Sequence, residues 1–185
     1  MRAKLWLIGC IAVIGALGSA GGAPFLLDAR LQRWDGSGVQ LSAFRGKPTV
    51  VFYEDRNSTE INRRLKNELV SRGRLRGLMK AAHVVAVANL EAYDFFPARN
   101  FARRAVRDVE SRAGIPVLID WKKTLATSPW NLPPKNSSVV LLDPRGQRAF
   151  ERSGHLSDEE VEEFFHVLDV LLGLAPQQSA KGGPR

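Results

Sequence analysis

The sequence predicts an α/β fold in which parallel strands alternate with helices, followed by a β-hairpin and a last helix. Two short runs rich in β-branched and aromatic residues, 49–53 and 83–88, are typical of buried central strands. Each run is followed by a segment whose apolar residues recur at helical spacing. Because parallel strands need such crossovers, we expect a central mixed sheet, flanked by helices and covered on both faces.

The region ahead of the central strand is predicted to be rich in β-structure. Apolar residues alternate over 25–31 and again over 39–44, with turn residues at 35–38 between them. A second turn at 45–48 leads into the central strand. This pattern predicts an N-terminal β-hairpin.

The first helix is predicted to begin at Asn57. Asn57 is a preferred N-cap residue, and Glu60 stands three positions later, as in a capping box. Apolar residues then recur every four positions on one face, and Gly73 can end the helix. These apolar residues are Ile61, Leu65 and Leu69.

A second helix is predicted from apolar residues at the same spacing, and Gly114 can end it. Strands at 115–119 and 139–142 follow, and the turn 143–146 joins the second of them to a hairpin partner. The last helix is predicted to start at a capping box and to end at Gly173. The second helix carries Phe101, Ala105 and Val109, and the capping box is Ser157 with Glu160.

The first twenty residues have the layout of a secretory signal peptide. Arg2 and Lys4 form a positive start, 5–17 is apolar and uncharged, and small residues at 18–20 suit a cleavage site. The apolar run is shorter than the roughly 20 residues that span a bilayer. We predict cleavage after Ala20, with an uncleaved anchor as the alternative.

Cys10 is the only cysteine of the chain. The residues before it resemble a bacterial lipobox, which would make Cys10 a lipidated N-terminus. The apolar run continues past it, so we interpret Cys10 as part of the signal peptide, where it behaves as a small apolar residue. The protein after cleavage would then contain no thiol and no disulfide.

The predicted organisation is a signal peptide at 1–20, one domain at 21–174 and a disordered polar tail at 175–185. We expect a periplasmic or secreted protein without a transmembrane segment. The net charge of +8 favours anionic partners. An exported protein rarely meets nucleic acid, so an anionic envelope surface is the better candidate; solvated helix faces are the other interpretation.

Several segments resemble the peroxiredoxin and TlpA-type thioredoxin-like families. Leu41, Phe44 and 45–48 match a motif "L-x-x-[FL]-[RK]-G-K-P" before the central strand, while 115–120 and 138–146 are similar to later strands of those families. The YtfJ-like family of exported proteins is a closer match. It shares Trp130, Ser137, Ser138 and the run 139–148. The resemblance implies a thioredoxin-like fold, and brings no established activity with it.

In that fold the reactive cysteine lies at the start of the helix after the central strand, where free N–H groups stabilise a thiolate. The resemblance places Asn57 and Glu60 at the two cysteine positions, and Ser137 where redox-active members have a cis-proline. Without sulfur there is no thiol–disulfide exchange. We predict no catalytic residue, no metal and no cofactor. The candidate ligand-binding residues are Glu54, Asp55, Arg56, Asn57, Ser58, Thr59, Glu60 and Ser137.

The function predicted from the sequence is therefore a redox-inactive binding or adaptor module of the bacterial cell envelope. Its ligand would be a protein, a peptide or an anionic envelope component, bound at the helix N-terminus. The same residues could also serve only to cap the helix. The alternatives are a thiol–disulfide oxidoreductase or peroxiredoxin-like antioxidant protein, which the absence of cysteine disfavours, and a structural protein held by its basic faces.

Overall fold

A seven-stranded mixed sheet lies at the centre of the structure, a computed structural model that describes residues 26–174. Its strands are β1 Arg30–Gln32, β2 Gly38–Gln40, β3 Thr49–Glu54, β4 His83–Asn89, β5 Val117–Asp120, β6 Ser138–Leu142 and β7 Arg148–Ser153. They lie in the order β2-β1-β5-β4-β3-β6-β7. β3, β4 and β5 are mutually parallel, and the other neighbours pair antiparallel. The predicted mixed sheet with an N-terminal hairpin is confirmed.

Three long α-helices and one short α-helix accompany the sheet within residues 26–174, besides three short 3-10 helices. They are α1 Arg63–Arg76, α2 Leu78–Ala81, α3 Ala98–Ala113 and α4 Asp158–Leu171. α3 ends at Gly114, whose φ of 67° is a left-handed conformation that glycine adopts without strain. α4 begins with the predicted capping box, since the side chains of Ser157 and Glu160 each accept the other's backbone N–H.

The three long helices all pack on one face of the sheet. The register aligns Phe52 of β3, Ala86 of β4 and Val117 of β5 on this face. α1 and α4 share one apolar cluster over β3 and β6, and α3 belongs to another over β5. Both sheet faces are covered as expected, but α-helices cover only one. The crossovers β3 to β4 and β4 to β5 step in the same direction, and right-handed connections then place both helices on one side.

Segments without an α-helix cover the opposite face, among them the short 3-10 helices Leu41–Phe44 and Thr124–Ala126. Val51 and Tyr53 of β3 point to this side, where they pack with residues that precede β3 and residues from the connection between β5 and β6. Trp130 from that connection is fully buried, and its Nε1 donates to the Asp28 carbonyl over 3.0 Å. The cluster also contains Leu27, Leu31, Leu41, Leu125 and Leu132.

α1 begins at Arg63, so the predicted start at Asn57 is wrong. Residues 56–62 form consecutive turns instead. The Asp55 carboxylate takes the capping role, because its Oδ1 accepts the N–H groups of Asn57 and Ser58, both over 3.0 Å. Glu60 carries no capping box; its carboxylate pairs with Arg63 at 3.5 Å.

α1 also continues past the predicted stop at Gly73. It ends at Gly77, which has a φ of 66°. The predicted signal peptide 1–20, with Cys10, and the predicted tail 175–185 lie outside the described residues. Within residues 26–174, no helix combines the length and the apolar character needed to cross a membrane.

Candidate functional site

The loop after β3 and the segment before β6 meet at the carboxyl edge of the sheet. β3 and β6 pair Tyr53 with Ser138, and this register places Glu54 opposite Ser137. The Ser137 hydroxyl donates to Glu54 Oε1 over 2.6 Å, and both side chains are buried. The structure thus joins two members of the predicted set that lie far apart in the sequence.

A lysine on α1 is the ionic partner of Glu54. Lys66 Nζ lies 2.6 Å from Glu54 Oε2 and donates to the Thr59 carbonyl over 2.7 Å. Both carboxylate oxygens of Glu54 are therefore engaged, one by Ser137 and one by Lys66. A carboxylate with two such partners is a fixed hydrogen-bond acceptor rather than a free general base.

Asn62 connects this pair to the loop before α4. Its side-chain amide donates to Ser137 Oγ and to the Gly154 carbonyl, both over 2.9 Å. Its oxygen accepts the N–H of Leu156 over 3.1 Å. Asn62 is buried, and these three bonds satisfy most of its capacity. The result is a buried polar network, defined here as Glu54, Lys66, Ser137 and Asn62.

Asn62 was missed in the sequence-based prediction. It lies three positions before Leu65 and seven before Leu69, which are both buried core residues of α1. A polar side chain in register with an apolar helix stripe must find hydrogen-bond partners in the interior. The position of Asn62 on the apolar stripe of the helix was therefore the sequence signal that could have identified it.

The remaining predicted residues divide by exposure. Ser58 is buried, and its Oγ accepts the Asp55 N–H over 2.9 Å, while Asp55 is half-buried. These two residues form the turn that replaces the first part of the predicted helix. Four residues reach solvent and leave room for a ligand: Arg56, Asn57, Thr59 and Glu60.

The site carries no redox sulfur, because Cys10 is the only cysteine of the chain. The polar network instead fixes the loop after β3 to the segment before β6 by side-chain hydrogen bonds. Buried networks with satisfied partners are rigid. The arrangement can hold a loop in place and present its exposed residues, but it offers no nucleophile of the thiol class.

A groove opens beside this network, between α1 and α3, with β4 as its floor. We call it the slot. Its volume is about 1200 Å³, and mainly apolar side chains line it. Asp55, Arg56, Thr59 and Glu60 stand at the end where β3 stops. Half of the predicted site residues thus form the mouth of this groove.

No cluster of three or more His, Cys, Asp or Glu side chains that could hold a metal ion occurs within residues 26–174. The histidines lie apart. His83 packs edge-on against Phe44, and burial, followed by the charge of Lys47, lowers the pKa of His83. A ring nitrogen of His155 lies 3.2 Å from the Ile61 carbonyl.

Comparison with known proteins agrees with this fold. Residues 81–171 match the family described as "Bacterial protein of unknown function (YtfJ_HI0045)". The "putative Thiol:disulfide interchange protein DsbE" of Chlorobium tepidum has a TM-score of 0.58 at 16% identity, covering 80% of this chain and 95% of that chain. No curated protein matches the sequence.

Two further solved structures show the same likeness. An uncharacterized conserved protein of Geobacillus kaustophilus has a TM-score of 0.57 at 19% identity, with 80% of each chain covered. The exposed lipoprotein thioredoxin Etrx1 of Streptococcus pneumoniae has a TM-score of 0.55 at 13% identity, covering 76% of this chain and 98% of that one. At such identities the likeness concerns the fold alone. The match over residues 81–171 and the thioredoxin-like neighbours together support a YtfJ-like family with a thioredoxin fold for this chain.

Proposed function

We propose that this protein is a redox-inactive binding module of the bacterial cell envelope, which uses the thioredoxin fold for recognition. The observation that carries the proposal is the polar network at the redox position. Hydrogen bonds of Ser137 with Asn62 and with Glu54 join the two loops that flank this position. The ion pair of Glu54 with Lys66 completes the network. Because buried hydrogen bonds hold the redox position closed, we infer that a ligand binds at its exposed rim and that no covalent chemistry takes place there.

The envelope location rests on the sequence of residues 1–20, which has the order of a signal peptide. Two features are compatible with it. A structural neighbour of 13% identity is described as an exposed lipoprotein. The chain after residue 20 contains no cysteine, so an oxidising compartment cannot cross-link it.

The rim that would bind a ligand consists of Arg56, Asn57, Thr59 and Glu60. Arg56 is exposed, and its guanidinium forms no ion pair with a described carboxylate. Thr59 and Glu60 continue the rim into the slot. This surface joins a free cation to an apolar groove, as ligand sites commonly join a few polar groups to an apolar lining.

Site-specific photo-crosslinking in intact cells tests the proposal. A photoreactive residue at Arg56 should give discrete cross-linked products in the envelope fraction. The matched control carries the same residue at His166, which is exposed on α4 away from the rim. Products that are the same from both positions, or absent from Arg56, would contradict a binding role for the rim.

A parallel assay addresses the alternative activity. The purified protein, in a preparation free of added thiol, should neither reduce insulin nor consume peroxide above a buffer control, since no thiolate is present to react. Turnover that scales with protein concentration would refute the redox-inactive assignment.

A further inference from the structure

We propose that the slot binds one hydrocarbon chain of a single-chain anionic amphiphile of the fatty-acid class. The inference rests on the proposed function in one respect: the rim of the binding module is also the mouth of the slot. It goes further by naming the chemistry of the ligand and the surface that takes its apolar part.

Small side chains create the slot. On the helix-covered face, β4 carries Ala86 and Ala88, where its neighbour β3 carries Phe52 and Glu54. α3 adds Ala102 and Ala105 on the side that lines the groove. Larger residues at these positions would fill the space between the helices, so the groove is a consequence of the alanines on its floor and wall.

Apolar side chains also remain uncovered along the slot. Phe101 of α3 is 64% exposed, Val109 of the same helix is 43% exposed, and Val70 of α1 is 48% exposed. Phe101 and Val109 belong to the helical stripe that the sequence predicts to be covered. Large apolar surfaces left open around a groove mark a binding site for an apolar partner.

The placement of the two helices limits the width of the occupant. α1 packs over β3 and β6, and α3 packs over β5. Two side chains of α3 also bond to the end of β1: Arg103 donates to Gln32, and Glu110 accepts from Arg33. β4 lies between β3 and β5 in the sheet, so the floor between the two helices is about one strand spacing wide, roughly 5 Å. A floor of this width accommodates one hydrocarbon chain and is too narrow for a third helix, about 10 Å across.

The floor excludes an extended peptide as the natural occupant. β4 pairs with β3 on one side and with β5 on the other, so its backbone groups are taken up by the sheet. A peptide strand in the slot would leave its own N–H and C=O groups without partners in an apolar environment. A hydrocarbon chain has no such groups to satisfy.

The charges along the slot favour an anionic head group. Glu54 and Glu60 of its lining pair with Lys66 and Arg63, whereas Asp55 accepts two backbone N–H groups and keeps its charge. Among the described residues, Arg56 at the mouth and Arg112 at the far end pair with no carboxylate. Two arginines against one carboxylate without an ion pair leave the lining with an excess of positive charge, which complements a carboxylate head.

A displacement assay tests the proposal on the purified protein. Dansyl-labelled undecanoic acid is the fluorescent probe, and oleate is the competitor. We expect the probe to gain fluorescence on binding and oleate to displace it. Failure of the probe to bind, or of oleate to displace it, would overturn the proposal.

Two substitutions test whether the probe binds in the slot. Ala105→Trp fills the groove from an exposed position of α3 and should weaken probe binding by at least about tenfold, because the chain and the indole would occupy the same space. Ala149→Trp is the matched control at an exposed position of β7, facing away from the helices. The proposal is wrong if Ala105→Trp binds like the wild type.

The head group is tested with a second pair of variants. Arg56→Gln should weaken oleate binding about threefold to tenfold and leave oleyl alcohol unaffected, because only oleate carries the charge. Arg145→Gln is the control, an exposed arginine in the β6–β7 turn at the opposite edge of the sheet. Equal effects on acid and alcohol would remove the anionic head group from the proposal.

A last arm separates free amphiphile from membrane lipid. Phe95 and Phe96 lie in the sequence between Tyr93 and Ala98 of the slot lining and are 60% and 85% exposed, so vesicles containing phosphatidylglycerol are compared with free oleate as competitors. Displacement by vesicles alone would assign the surface to membrane lipid and overturn the single-chain ligand. If Arg56 cross-links in cells while oleate fails to displace the probe, this inference falls and the binding-module proposal stands.

Discussion

The two sides of α1 differ although they rest on the same sheet. Towards α4, the gap is filled by aromatic rings: Phe164 is fully buried, and the guanidinium of Arg72 lies 3.8 Å from the ring centroid of Phe165. Ion pairs of Arg64 with Asp158 and of Arg72 with Glu162 bridge the same two helices. Towards α3, the floor of the gap carries Ala86 and Ala88, α3 adds Ala102 and Ala105, and the gap stays open. The difference shows that helix spacing on this sheet is set by side-chain size at a few positions.

The strongest test of this comparison removes one phenylalanine from each side. Phe164→Ala should lower the free energy of unfolding by about 3–5 kcal/mol, because it leaves a cavity in a packed cluster. Phe101→Ala, on the open side, should change it by less than about 0.5 kcal/mol. Reversible denaturant unfolding measures both. A large loss for Phe101→Ala would show that the slot is closed in solution.

A second test concerns how α3 is held at the far wall of the slot. Glu110 accepts the Val117 N–H and pairs with Arg33, each over 2.9 Å. Partial burial works against ionisation, but these hydrogen bonds outweigh it and lower the pKa of Glu110 from its usual value of 4.5. Stability from a carboxylate with a lowered pKa is present above the unfolded-state pKa and is lost as pH falls through the folded-state pKa.

The corresponding variant is Glu110→Gln, which keeps the shape and removes the charge. At neutral pH it should lower the free energy of unfolding by about 1–2 kcal/mol. The difference from the wild type should shrink below about pH 4.5, as Glu110 becomes protonated in the unfolded and then the folded protein. A difference that stays constant between pH 7 and pH 3 would mean that the charge of Glu110 does not hold the helix.

The smallest effect distinguishes the observed cap from the one predicted. Asp55→Ala should cost about 1 kcal/mol, because the Asn57 N–H loses its acceptor and the Ser58 N–H keeps only the Asp55 carbonyl. Asn57→Ala should be nearly neutral, since the side chain is exposed in a turn and precedes the helix by six residues. Chemical unfolding of the two variants side by side decides between them. The reverse order of effects would restore Asn57 as the cap.

These elements show which features a sequence pattern can locate. The last helix begins at its predicted capping box, because the Ser157 and Glu160 side chains accept each other's backbone N–H and both residues lie within one turn of the chain. The first helix does not begin at Asn57, because the carboxylate of Asp55 accepts the N–H groups of Asn57 and Ser58 and starts a turn there instead. Local motifs compete, and a carboxylate two residues before Asn57 organises this segment.

The candidate site also combines features that the sequence predicts with features that depend on tertiary packing. The position of the loop after β3 and the absence of sulfur follow from the sequence, as does the place of Ser137 before β6. Asn62 donates to the Gly154 carbonyl and accepts the Leu156 N–H, and these bonds join residues 92 and 94 positions apart. The spacing of residue types along the sequence does not predict such long-range hydrogen bonds, because they depend on how helices and loops pack.

By itself, the sequence determined the type and order of the strands and helices, since β-branched runs, helical spacing and glycine stops act over a few residues. It also excluded cysteine chemistry after residue 10. The tertiary structure alone decided that the long helices share one face, that Glu54 meets Ser137 and Lys66, and that a slot separates α1 from α3. These depend on crossover direction and on side-chain volumes brought together across the sheet, which are properties of the packed molecule.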